Sequence, residues 1–323
     1  MGLHPEVAVK HLLAGIAAAL LCGSALAQPQ PGKRVVLVVP AVPGGGLDAI
    51  ARALSKRLGD EWGVPVIVET QPGAEGLIGT QRVAAATPDG TTLLLQIPSL
   101  ILLKYTHKDL TFDPVAALIP VSELGRTPSA ISVNAKLPVH SVTELAAYCR
   151  QASPPCSWGS AQQLSYLSGK RIFSLTGIQS PLNVPYKGTA AVITDLIGGH
   201  ITIGITSVAS PLPYHRSGSV RILAVNAEKR FAQIPDVPTF REAGIQMPAR
   251  GSWYGLFAPR GTPPDAIARI EKGVMTAATD KWVRQSVEAL GGEPVFGTQR
   301  DFAAIVREEE TYLAALVKQF PLE

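Results

Sequence analysis

From Arg34 onward, short apolar runs rich in β-branched residues alternate with segments whose apolar residues recur at helical spacing. Arg34–Val39 is apolar without alternation, the pattern of a strand covered on both faces. Leu47, Ile50, Ala51, Leu54 and Leu58 then fall on one face of a predicted helix. Val64–Glu69 predicts a second strand, Gly79–Ala86 a helix and Thr91–Gln96 a third strand. Strand, helix and strand in this rhythm predict βαβ units and a mostly parallel sheet.

The middle of the chain repeats the theme. Ala130–Val133, Ser157–Ser160, Asn183–Tyr186, Ile201–Thr206 and Val220–Val225 read as short strands. Val142–Arg150 reads as a helix with Ser141 as N-cap, and Thr189–Ile197 as one that stops at Gly198-Gly199, where a left-handed cap suits glycine. Beyond Thr262 the pattern is helical: Pro263 opens one helix, Asp280 caps another, and Thr298 with Asp301 has capping-box spacing ahead of a long apolar stripe. A chain of 323 residues is long enough for two domains of ordinary size.

The N-terminus carries a different signal. Lys10 and His11 precede a short apolar run from Leu12 to Cys22, then Ala25-Leu26-Ala27 and Gln28. A basic start, a short apolar core and an A-x-A site predict a secretory signal peptide over residues 1–27 and a periplasmic mature chain. The run is too short to span a bilayer. Leu21 is bulky where a small residue precedes a lipidated cysteine, which argues against a lipoprotein. Cleavage leaves Cys149 and Cys156 in an oxidising compartment, either bridged or as two buried thiols. Charged residues make up 17% of the chain and net +4, dispersed without a basic run, so a nucleic-acid partner is not expected. No histidine stands at ligand spacing from either cysteine, and neither a Walker motif nor G-x-G-x-x-G is complete, so no metal and no cofactor are expected. A hydrolase or isomerase on an α/β scaffold would need an acid/base pair that the sequence does not display.

The candidate chemistry sits where strands hand over to helices. Ala41, Val42, Gly44, Gly45, Gly46 and Asp48 form the first such junction. Glycine lets the backbone approach a ligand, and a helix start offers unpaired N–H groups and the positive end of a dipole, which suits a carboxylate or phosphate. Asp48 either caps the helix or accepts a bond from a ligand; a tight turn with a capping Asp is the plainer alternative. The Pro72–Thr80 segment, with Gln71 and Gly76, is a second junction. Tyr186, Lys187 and Gly188 form a third, in which Lys187 is either a carboxylate partner or a solvated surface charge. The turn at Ser160, Ala161 and Gln162 adds hydroxyl, amide and backbone donors, and Thr206 completes the candidate set.

Longer segments extend these junctions into a recognisable pattern: VVPAVPGGGLDAIARALSKRL, VIVETQPGAEGLIGT, VAAATPDGTTLLL, VPYKGTAAVITDLIGGHI and RILAVNAEKRFAQIPDVPTFREAG, followed by GSWYGLFAPRGTPPDAIARI. Together they resemble the substrate-binding proteins of tripartite tricarboxylate transporters, the Bug family, over nearly all of the chain after residue 27. The resemblance implies a type II periplasmic binding protein fold: α/β, two lobes joined by two crossovers with a ligand cleft between them. It puts residues 34–130 and 252–323 in the first lobe and 131–251 in the second. It implies a non-enzymatic, monomeric receptor for a small carboxylated molecule, held through backbone N–H groups and water and passed to membrane transporter subunits. A sensor of the same fold that feeds a signalling protein is the alternative. The chain departs from the family pattern at Thr70-Gln71, at Glu75 and Leu77, at Tyr166 where a histidine is usual, and at Thr202 and Thr206 where acidic residues are usual.

Overall fold

The structure is a computed structural model that describes residues 34–322 apart from residues 180 and 250. The expected signal peptide, 1–27, lies outside the described residues. In chain order the elements are β1 (Val35–Val39), α1 (Gly46–Trp62), β2 (Val66–Thr70), a 3-10 turn at Ala74–Gly76, α2 (Leu77–Ala84), β3 (Thr92–Gln96), α3 (Ser99–Thr106), β4 (Leu118–Thr127) and β5 (Ser129–Asn134). There follow α4 (Val142–Gln151), β6 (Ser157–Ser160), α5 (Gln163–Thr176), β7 (Leu182–Pro185), α6 (Thr189–Gly198), β8 (Ile203–Ser207), α7 (Leu212–Arg216) and β9 (Val220–Val225). The chain then forms β10 (Ser252–Pro259), α8 (Pro264–Ala277), α9 (Lys281–Glu288), β11 (Glu293–Pro294) and α10 (Gln299–Gln319).

These strands make two sheets, ordered β11-β4-β10-β3-β1-β2 and β7-β6-β8-β5-β9. The chain passes from the first sheet to the second between β4 and β5 and returns between β9 and β10. The expected mostly parallel sheet is corrected: β1 runs parallel to β2 and β3, but β10 is antiparallel to both β3 and β4. In the second sheet β6 is parallel to β7 and β8, whereas β5 is antiparallel to β8 and β9. The antiparallel halves arise at the two crossovers, where strands enter from the other lobe rather than through a covering helix.

The period-2 rule explains why β1 lacks polar positions. Val35, Leu37 and Val39 pack into one core cluster with Leu54, Leu256 and Ile270, while Val36 and Val38 face a second with Leu94, Leu103, Phe302 and Leu316. Both faces are covered, so both are apolar. The second lobe has its own core, built on Ile131, Val133, Leu145, Trp158, Phe173 and Ile203. Helix α5 joins the two: Ile172 and Phe173 belong to the second-lobe core, yet Leu167 packs in the first-lobe cluster with Trp253 and Phe302. Gly169 lets α5 lie tightly against the second-lobe core, because a Cβ there would overlap the Trp158 ring.

Cys149 and Cys156 form a disulfide, with Cα atoms 5.4 Å apart, that joins the end of α4 to the start of β6. Helices α1, α5 and α6 end at Gly63, Gly177 and Gly199, all at positive φ. Ser141, Asp280 and Thr298 cap their helices by accepting N–H bonds. Pro263 precedes α8 as N-cap, one position earlier than its expected place inside the helix.

Candidate functional site

A cavity of about 690 Å³ lies between the lobes. Its first-lobe wall comes from the segments that follow β1, β2 and β3, represented by Ala41 and Gly46, Gly73 and Gly76, and Gln96 and Ser99. Its second-lobe wall includes Ala161 and Gln162 after β6, Thr189 at the start of α6, Thr206 on β8 and Asn226 after β9. The parallel strands of each sheet point their carboxyl ends at this space, and the helices that follow β1, β3 and β7 begin there, at Gly46, Ser99 and Thr189. Helices α1, α3 and α6 enter with no side chain capping their first turn. The first-turn N–H groups of a helix have no intrahelical acceptor and carry the positive end of its dipole. Among the described residues no lysine, arginine or histidine lines the cavity.

The first junction divides its donors. Asp48 is buried in the first turn of α1, and its Oδ2 accepts from the Gly44 N–H at 2.9 Å and from Arg52 Nε at 2.9 Å. Burial pushes this carboxyl up, but the bonds from Arg52 and Gly44 outweigh it and hold the group below the usual carboxylate value. The Gly45 N–H is directed to the Val42 carbonyl at 3.3 Å. Thus Gly44 and Gly45, expected as donors to a ligand, serve the loop itself and do not line the cavity, whereas Gly46 does. Asp48 fixes the loop; it neither caps the helix nor lines the cavity, and Gly45 takes the N-cap position.

The other expected contacts separate in the same way. Ala41, Val42, Gly76, Ala161, Gln162 and Thr206 line the cavity; Gln71, Ser160, Tyr186, Lys187 and Gly188 do not. The Gln71 N–H extends the β1–β2 pairing by bonding the Val39 carbonyl at 2.8 Å. The Ser160 hydroxyl donates to Asn183 Oδ1 at 2.8 Å. The N–H groups of Ala161 and Gln162 both donate to Ser165 Oγ, at 3.2 and 3.1 Å, as part of a capping box, so these residues offer the cavity their side chains rather than those N–H groups. The Tyr186 hydroxyl donates to Asp195 at 2.6 Å; burial together with the Asp195 carboxylate pushes the phenol up to about 12. Lys187 is exposed, and Thr189 rather than Gly188 reaches the cavity from this turn.

Gln96, Ser99, Asn226 and Tyr254 also line the cavity and were not singled out by sequence. Ser99 obeys the same strand-to-helix rule as the first junctions, so that rule applied to β3 would have found it. Gln96 is 2% exposed and anchors the β3 exit by accepting the Ile97 N–H at 2.9 Å. Gly76 must be glycine beside it: its φ is 97°, and a Cβ would stand 2.8 Å from Gln96 Nε2. Tyr254 and Tyr312 in the cavity wall are each pushed up to about 12 by burial, so both are neutral phenols at physiological pH. No group of three metal-ligating side chains gathers among the described residues, and no helix among them is long and apolar enough to cross a membrane.

The profile described as "Tripartite tricarboxylate transporter family receptor" matches residues 50–322. A UPF0065 protein of Bordetella bronchiseptica is 34% identical over 98% of this chain and 94% of its own length. The structure of MatC from Rhodopseudomonas palustris with bound malate is 29% identical, with a TM-score of 0.72, covering 89% of this chain and 99% of that one. The structure of Rpa4515 from the same organism with adipate is also 29% identical, with a TM-score of 0.76, covering 90% of this chain and 97% of that one. With the two-lobed α/β fold, these matches establish that the chain belongs to the tripartite tricarboxylate transporter family of receptors, which are periplasmic solute-binding proteins rather than enzymes.

Proposed function

We propose that this protein is a periplasmic receptor that captures a small carboxylated molecule between its lobes and delivers it to the membrane subunits of a tripartite tricarboxylate-type transporter. One observation carries the reading: three helices begin at one cavity with no side chain capping them, α1 and α6 with first-turn N–H groups directed to no carbonyl, and no described cation stands in its wall. Such a site stabilises an anion with N–H groups and dipoles that need no reorganisation when the ligand arrives. Gly46, Ser99 and Thr189 head those helices and are the proposed first contacts of the acid group, with Ala41, Gly76, Gln162 and Thr206 around it. The malate and adipate bound by the two neighbours support a carboxylated ligand here. The basic start, short apolar run and A-x-A pattern of residues 1–27 support export. Residues 34–128 with 252–323, and residues 129–251, are the two bodies proposed to close on the ligand; the expected boundary after residue 130 moves to the start of β5, which pairs in the second sheet from Ser129.

The test is a thermal-shift and calorimetric screen of the chain from Gln28 onward against mono-, di- and tricarboxylates, amino acids and aromatic acids. A ligand present at a hundred times its Kd stabilises by about 2.7 kcal/mol, which raises Tm clearly. At least one acid is expected to do so, while the corresponding methyl ester does not. A folded protein indifferent to every acid in the panel would remove the proposal.

A further inference from the structure

Helix α5 follows β6 of the second sheet, yet it has two packed sides. Gly169, Ile172 and Phe173 face the second-lobe core. Leu164, Leu167, Ser168 and Arg171 recur at the spacing of a different stripe, and that stripe meets α3 and α10 of the first lobe. Leu164 and Leu167 join the first-lobe cluster that contains Leu103, Leu313 and Leu316, and Leu167 is fully buried there. One turn further on, the Arg171 charge acts on the Tyr312 phenol of α10. Leu164 and Ser168 of α5, Leu102 of α3 and Tyr312 of α10 also line the cavity, so this seam is one of its walls. None of the three helices belongs to the β4–β5 or β9–β10 crossover, which makes the seam a third connection between the lobes. Apolar burial holds it together. Arg171 Nε and Tyr312 Oη lie buried in it with no hydrogen-bond partner, and water would satisfy both on opening. The seam is therefore built to part as well as to close.

We infer that α5 is a strap that holds the two lobes together in the absence of a ligand, with Leu167 as its pin, and that the cavity opens when this helix withdraws from α3 and α10. The test is an interlobe distance measured by pulsed electron-spin resonance between nitroxides at Lys56→Cys on α1 and Thr143→Cys on α4, both exposed positions. Cys149 and Cys156 are bonded to each other and do not take the label. The chain from Gln28 onward is dialysed free of carried-over ligand, and none is added. Wild type is expected to give one distance, that of this structure. Leu167→Ala should add a longer distance and raise the open fraction at least about tenfold. Leu164→Ala, at the half-buried edge of the seam, should do the same more weakly and carries the test if the first variant does not fold. Ile172→Ala truncates the opposite side of α5; it should lower Tm without adding the longer distance, which separates unpinning from general loosening. A wild type that is already open, seam variants that keep the wild-type distance, or an Ile172→Ala protein that opens as far as they do would each overturn the inference. None of these outcomes depends on which ligand the cavity takes, so the acid panel tests the receptor reading separately.

Discussion

Under the proposed function, Gly46 is where a single residue bears most directly on binding. It is the first residue of α1, it lines the cavity, and a Cβ on it would fall 2.5 Å from the Leu290 side chain, itself part of the cavity wall. Gly46→Val therefore forces Leu290 aside or narrows the cavity. Affinity for the ligand is expected to fall at least about tenfold, with a smaller change in Tm. Gly44 is the control. It has a φ of 78° and open space around it, and its N–H serves Asp48. Gly44→Ala should cost about 1 kcal/mol of stability through backbone strain and leave affinity close to wild type. Calorimetry with thermal denaturation on both variants distinguishes the two roles; equal affinities in the pair would show that Gly46 makes no ligand contact. The sequence put all three glycines in one role because their spacing to Asp48 is equally good for a turn and for an anion site. Only the direction of each N–H separates them.

At the scale of elements, the β1–α1 junction depends on an ionised Asp48. Its folded carboxyl is held below the ordinary value of 3.8, so its contribution to stability is present above that value and is lost as pH falls through the depressed folded value. Asp48→Asn removes the charge and the pairing with Arg52, and is expected to cost about 1 kcal/mol at pH 7. Denaturant unfolding at pH 5 and pH 3 checks the sign: wild type should lose more stability across this interval than Asp48→Asn does. An equal loss in both would mean that the group is not linked to folding. Other elements were less legible than this junction. Strand β4, which the sequence analysis does not assign, contains Pro120 and Gly125, and its pairing with β10 is irregular at two points and accommodates both. Helix α5 was missed because its apolar positions serve two cores, Leu167 on one side and Ile172 with Phe173 on the other, and no single stripe results.

For the whole molecule, the proposed closure of two bodies on a ligand and the bracing of each body are separate matters. The Cys149–Cys156 bond closes a short loop, with a sequence separation of 7, and neither residue lines the cavity. Loop-closure entropy assigns it about 2 kcal/mol of stability. The double substitution Cys149→Ser with Cys156→Ser is expected to lower stability by that amount and to leave ligand affinity unchanged, as measured by denaturant unfolding and calorimetry in parallel. A large loss of affinity would tie the bond to the lobes' closure instead. The crossings at β4–β5 and β9–β10 give the lobes two connections, which suits a hinge motion rather than free domain movement.

The sequence by itself determined the local grammar: β1 with apolar residues on both faces, caps at Ser141, Asp280 and Thr298, the glycine stop after α6, and strand-to-helix junctions after β1 and β2. These depend on near neighbours along the chain, which sequence records directly. Tertiary structure alone decided which junctions share one cavity and which of their N–H groups remain available there. Ser165 takes those of Ala161 and Gln162, Asp48 takes that of Gly44, and Val42 takes that of Gly45. It likewise decided that β10 enters antiparallel beside β3 and that Tyr254 and Asn226 reach the cavity. A hydrogen bond has a single direction and a cavity has walls drawn from distant segments, and neither property is carried by spacing along a chain.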